Sequence, residues 1–170
     1  MDKIIYNYLS NEDHRKAVEL FEKICNEPGG DLIYPFSEKD LVQMLRASNS
    51  FGAWDMDRLA GLGVLILDEE ATKSHKDLLK LNLDISIAEI GCFVDYDYRG
   101  KGIAKILTDE LINHARKIGI DVITATARKE NVLSEKILIN QNFVLVAEYD
   151  RGDGHLRNVY KKDLEILMVT

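Results

Sequence analysis

The chain has 170 residues, 46% of them hydrophobic and 30% charged, a balance that suits one soluble domain with a full core. Its formal charge of −7 argues against nucleic acid as a partner and is compatible with a cationic small substrate. Its apolar runs fall well short of the roughly 20 residues of a membrane helix. The first residues lack a signal peptide's apolar stretch, and Cys25 and Cys92 have no metal-type spacing. Neither a membrane nor a metal is therefore expected, and the expected compartment is the cytoplasm.

In chain order, Lys3 to Leu9 can make a first strand, and Asn11 to Asn26 reads as a helix with Ala17, Val18, Phe21 and Ile24 at helical spacing. Glu27-Pro28-Gly29-Gly30-Asp31 ends it. Ser37 caps a second helix, with Asp40 three residues on in a capping-box-like position and Leu41, Met44 and Leu45 facing the core. Ser50 to Asp55 and Leu59 to Leu67 form a hairpin pair joined near Met56-Asp57-Arg58, and Asp68 to Lys80 is a charged loop or short helix. Leu83 to Val94 is the next strand. Ile103 to Ile118 is a helix closed by Gly119, with Ile103, Leu107, Leu111, Ala115 and Ile118 as its apolar stripe. A strand from Asp121 to Ala127, a helix from Asn131 to Gln141 and strands from Phe143 to Tyr149 and His155 to Lys161 complete the order βααβββαβαββ, a mixed α/β sheet.

The segment most able to carry chemistry is Arg99-Gly100-Lys101-Gly102-Ile103-Ala104, at the turn from an apolar strand into a long amphipathic helix. Two glycines there permit a close backbone approach, and the helix end offers free amides and positive potential to a phosphate. A Walker loop is excluded because Ile103 follows Gly102. The dinucleotide fingerprint also fails, since Lys105 stands at its third glycine and Asp121 begins the next strand rather than ending it.

With Arg99, Gly102 and Ala104 in the pattern Arg/Gln-x-x-Gly-x-Gly/Ala, the segment resembles the acyl-CoA cradle of the GNAT acetyltransferase superfamily. Its element order is also that of the family. The resemblance implies one domain over residues 1–170, with a mixed, mostly antiparallel sheet flanked by helices. It implies acetyl-CoA as co-substrate, held by the backbone of Lys101, Gly102, Ile103 and Ala104, by the turn at Gly100, and by the backbone at about Phe93 and Val94, where the fourth strand splays from the fifth. Arg99 either adds charge there or fixes the loop. Asn131, which opens a stretch similar to a second family signature ending at Phe143, is either a pantetheine contact or an N-cap. In that stretch Asn142 replaces a glycine, a change Asn tolerates in the left-handed conformation. Leu138 replaces the tyrosine that usually protonates the departing thiolate. Tyr96, Tyr98, Tyr149 and Tyr160 are the candidate substitutes.

Glu89 is the expected base or substrate ligand. On an unbroken strand it shares a face with Leu83, Ile85 and Ile87, and a carboxylate on an apolar face is costly unless paired or functional. A bulge at Gly91, or a basic partner for Glu89, would weaken that role. Cys92 reads as a strand thiol rather than a nucleophile, the four histidines as surface residues, and Tyr34 and Phe36 as acceptor-pocket or packing aromatics. The resulting expectation is direct acetyl transfer to a primary amine, plausibly a cationic small molecule, by a homodimer. The alternatives are a CoA-binding sensor without turnover and a protein-interaction module on the same fold.

Overall fold

A computed structural model describes residues 3–165. Seven strands form one sheet in the order β1-β2-β3-β4-β5-β7-β6. They are β1 (Ile5–Tyr8), β2 (Ser48–Asp55), β3 (Arg58–Ile66), β4 (Ile87–Val94), β5 (Val122–Arg128), β6 (Val144–Asp150) and β7 (Leu156–Asp163). Only β4 and β5 run parallel among these neighbours, because a helix crosses between them; the other pairs are antiparallel.

The five α-helices are α1 (His14–Cys25), α2 (Glu38–Ala47), α3 (Glu69–Leu78), α4 (Ile103–Lys117) and α5 (Val132–Asn140). On one face of the sheet, α1 and α2 pack Phe21, Ile24, Leu41 and Leu45 against Leu62, Val64 and Ile66 of β3. On the other, α4 packs Ile103, Leu107 and Leu111. This approach is close, since a Cβ at Gly61 would lie 2.9 Å from Ile103 Cγ2, and the fit seats the start of α4 at the end of β4.

Most of the expected elements are present. The hairpin turns at Met56-Asp57, Ser37 accepts from the amide of Asp40 at 3.1 Å, and Asn142 adopts φ 63° after α5. Of the loop or short helix expected after β3, the helix is present: α3, which Asp68 caps by accepting from the Ala71 amide at 2.8 Å. Two expectations need correction. The strand before the glycine loop starts at Ile87, with Leu83 95% exposed, so Leu83 and Ile85 share no strand face with Glu89. Ile118 lies past the end of α4 and is exposed rather than part of the apolar stripe.

Candidate active site

The site begins where β4 and β5 part. Their pairing runs from Ile87 opposite Val122 to Ile90 opposite Ala125 and then stops, while each strand stays paired with its outer neighbour. No bulge interrupts β4 at Gly91, and its register with β3 is even throughout. The Asp95 amide donates to the Ala60 carbonyl, so the alternation of an antiparallel ladder commits the Phe93 amide and carbonyl to β3. Those of Cys92 and Val94 face the gap. The expectation that Phe93 offers its backbone therefore shifts by one residue.

A cavity of about 160 Å³ passes through the opening, lined on one side of the sheet by Ala104, Thr108, Asn131 and Leu138 and on the other by Tyr34, Phe36, Glu89 and Arg151. At its α4 end lies the glycine loop. Gly100 and Gly102 have φ of 75° and 79°, a region that favours glycine, and a Cβ on either would meet nothing within 4 Å. No side chain caps α4, so the first amides of the helix keep their donors open. An uncapped helix end with free space above it fits a phosphate group.

Two contacts hold this loop. Arg99 donates from Nε to the Val94 carbonyl at 3.1 Å and from Nη1 to the Pro28 carbonyl at 2.8 Å, so it fixes the turn. Asp95, 1% exposed, pairs at 2.7 Å with both Lys23 and Arg58. Burial alone would raise its carboxyl, but the hydrogen bonds from Lys23 and Arg58 prevail and hold it below the usual range. Lys101 lies over the Tyr98 ring at 4.8 Å, beside the mouth.

At the opposite end Glu89 is 4% exposed, on the α1/α2 face. Its carboxylate has two basic side chains nearby, Arg151 Nη1 at 3.8 Å and His75 Nδ1 at 4.0 Å. His75 comes from α3 and is 1% exposed, not the surface residue its sequence context suggests. Its Nδ1 bonds the Thr124 hydroxyl at 2.7 Å and its Nε2 the Tyr149 hydroxyl at 3.2 Å. Burial lowers the imidazole, the nearby Glu89 partly offsets this, and Arg151 lowers it further, so His75 is neutral near pH 7. Arg151 lies over Tyr34 at 4.6 Å and over Phe36 at 5.5 Å. Arg157 grips Asp153 at 2.6 and 2.7 Å and also overlies Tyr34.

A family model described as the acetyltransferase (GNAT) family matches residues 17–138. The chain belongs to the GNAT acetyltransferase family. No curated protein matches it. Solved structures with the same fold include a Salmonella typhimurium acetyltransferase determined with acetyl-CoA, at 13% identity and TM-score 0.74, covering 96% of this chain and 95% of that one. An N-acetyltransferase from Staphylococcus aureus is similar at 18% identity and TM-score 0.73, covering 96% and 100%. A ribosomal-protein-alanine N-acetyltransferase from Brucella melitensis reaches 16% and 0.71, covering 94% and 99%.

Within this GNAT domain, Glu89, Phe93, Ala104 and Asn131 come together around one cavity. Asn131 caps α5 by accepting from the Ser134 amide at 3.2 Å. Leu138 is buried at the cavity wall. None of Tyr96, Tyr98, Tyr149 and Tyr160 lines the cavity; Tyr98 donates to Asp55 at 2.6 Å and Tyr149 is engaged with His75. Burial pushes the Cys92 thiol up to about 11, with a smaller opposing effect from Thr108, which disfavours a thiolate nucleophile at neutral pH. Sequence reasoning missed His75, Arg151 and Arg157. His75 follows a strand end on a short charged segment, and the two arginines flank a glycine turn, settings that usually mark solvent.

Proposed function

We propose that this GNAT protein is an acetyl-CoA-dependent N-acetyltransferase that transfers acetyl directly to the primary amine of a small molecule. One arrangement carries the reading: the gap between β4 and β5, with an uncapped helix end and two left-handed glycines at one end and a buried carboxylate at the other.

The amides at the start of α4, with Lys101 beside them, hold the pyrophosphate. The Cys92 and Val94 backbone faces the pantetheine arm, and Asn131 borders the same channel. When bound, acetyl-CoA supplies the acetyl group as an activated thioester. Glu89 takes the proton from the incoming ammonium, leaving a neutral amine as nucleophile. Thr124 and Tyr149 fix the neutral His75 against that carboxylate. With Leu138 at the family's tyrosine position, the thiolate departs without a tyrosine acid.

The protein acts as a homodimer in this reading. Val144, Leu145 and Val146 are exposed on the edge strand β6 and support it, and a monomer in sedimentation would end that part of the proposal. No helix among the described residues is long and apolar enough to cross a membrane. Calorimetric titration with acetyl-CoA and with free CoA tests the whole reading. The expected result is binding to both, followed by thiol release with an amine; no heat from either would refute it.

A further inference from the structure

We infer that the acceptor is an α-amino acid with an apolar side chain, recognised through its free carboxylate by Arg151. The inference rests on the acetyltransferase reading and names the substrate class for the same site.

Arg151 carries the argument. It stands at the acceptor end of the cavity, its guanidinium seated over the rings of Tyr34 and Phe36. Among the described residues its one ion pair is with Glu89 at 3.8 Å, longer than a hydrogen bond. Its planar fork of donors is therefore held in place by stacking while its N–H groups stay open to a ligand. Arg157 differs. It is tied to Asp153 by two short bonds, so its charge is already matched.

The acceptor end thus presents one carboxylate and one available guanidinium, side by side. That pair complements a molecule with an ammonium and a carboxylate on one carbon: the ammonium on Glu89, where it is deprotonated, and the carboxylate on Arg151, bound as a fork-to-fork pair. A polyamine or other purely cationic acceptor would set a second positive charge against Arg151. The local charges, not the chain's net charge of −7, govern this choice. Much of the remaining wall is apolar, with Tyr34, Phe36, Met44, Val64 and Ile66 lining the same cavity; Arg128 also lines it but is already tied to the Asp31 carbonyl at 2.8 Å. A side chain such as that of leucine would bury there without stranding a polar group.

The test compares L-leucine, L-methionine and L-phenylalanine with their primary amides and decarboxylated amines. Each is titrated calorimetrically into the free and the CoA-saturated protein and then assayed for thiol release with acetyl-CoA. At least one amino acid should bind and be acetylated with kcat/KM about 30-fold or more above its amide and its amine, the span of a charged hydrogen-bonded pair. Arg151→Met should reduce that preference to near unity, chiefly through KM, with acetyl-CoA affinity unchanged, and Arg151→Lys should restore part of it. Equal or better use of the amides or amines overturns the proposal, as does a preference that survives Arg151→Met, or failure of all three amino acids to bind. If Arg151→Met does not fold, the wild-type series and Arg151→Lys decide. Failure of the acetyl-CoA titration refutes the acetyltransferase reading separately, because amino-acid binding is read on the free protein.

Discussion

Gly102→Asp should separate ligand binding from folding. Gly102 sits at φ 79°, so a side chain there costs roughly 1 kcal/mol of backbone strain. It meets no steric resistance, because its Cβ has nothing within 4 Å. For a domain of this size, 1 kcal/mol lowers Tm by about 2–4 °C, so the variant folds. The effect on a phosphate is larger. A carboxylate about 5 Å from one phosphate charge, at an effective dielectric of about 20, costs about 3 kcal/mol, or roughly 100-fold in affinity. Gly63→Ala is the matched control. Its Cβ would lie 3.3 Å from Leu111 Cδ1 and 3.4 Å from Leu107 Cβ, so it strains the α4–β3 packing by about 1 kcal/mol and touches nothing at the loop. Calorimetry with acetyl-CoA beside thermal melts should give two variants of similar Tm, only one of which loses the ligand. Wild-type affinity in Gly102→Asp, or equal losses of affinity in both variants, would show that the helix end is not where the phosphate sits.

Two further outcomes are expected. Glu89→Gln should lower kcat by about 10²–10⁴ with the acetyl-CoA dissociation constant unchanged, a span typical of losing a positioned base; steady-state rates at wild-type level would remove Glu89 from proton transfer. Asp95→Asn should cost about 2–3 kcal/mol, toward the low end for a broken buried pair because Lys23 and Arg58 are half exposed. The folded carboxyl lies below its ordinary value, so its contribution is complete above about pH 4, the unfolded pKa, and disappears as pH falls through the folded one. Melts from pH 7 to 3 should therefore show wild type and variant converging only in acid, and a constant difference down to pH 3 would contradict the assignment.

The features legible in the sequence are those that depend on neighbours in the chain. Helical spacing identified Ala17, Val18, Phe21 and Ile24 as core, and all four are buried. The glycines of the loop and Asn142 marked left-handed positions that the backbone adopts. Glu89 was singled out partly on a strand face shared with Leu83 and Ile85, which the shorter β4 does not support; its burial comes instead from α3, whose His75 closes over it. The acceptor end was illegible because its members come from distant segments. Tyr34 precedes α2, His75 is on α3, and Arg151 is on the turn between β6 and β7. No local pattern joins an arginine near the C-terminus to a tyrosine before the second helix; sheet order brings them together.

The segment between α1 and α2 is fastened at two points on opposite sides of the parted strands. Arg99, just beyond β4, holds the Pro28 carbonyl, and Arg128, at the end of β5, holds the Asp31 carbonyl at 2.8 Å. A few residues on, the same segment supplies Tyr34 and Phe36 to the acceptor wall. The proposed acceptor wall is therefore anchored to the arginine that opens the glycine loop. Loosening either fastening should therefore be felt at both ends of the cavity.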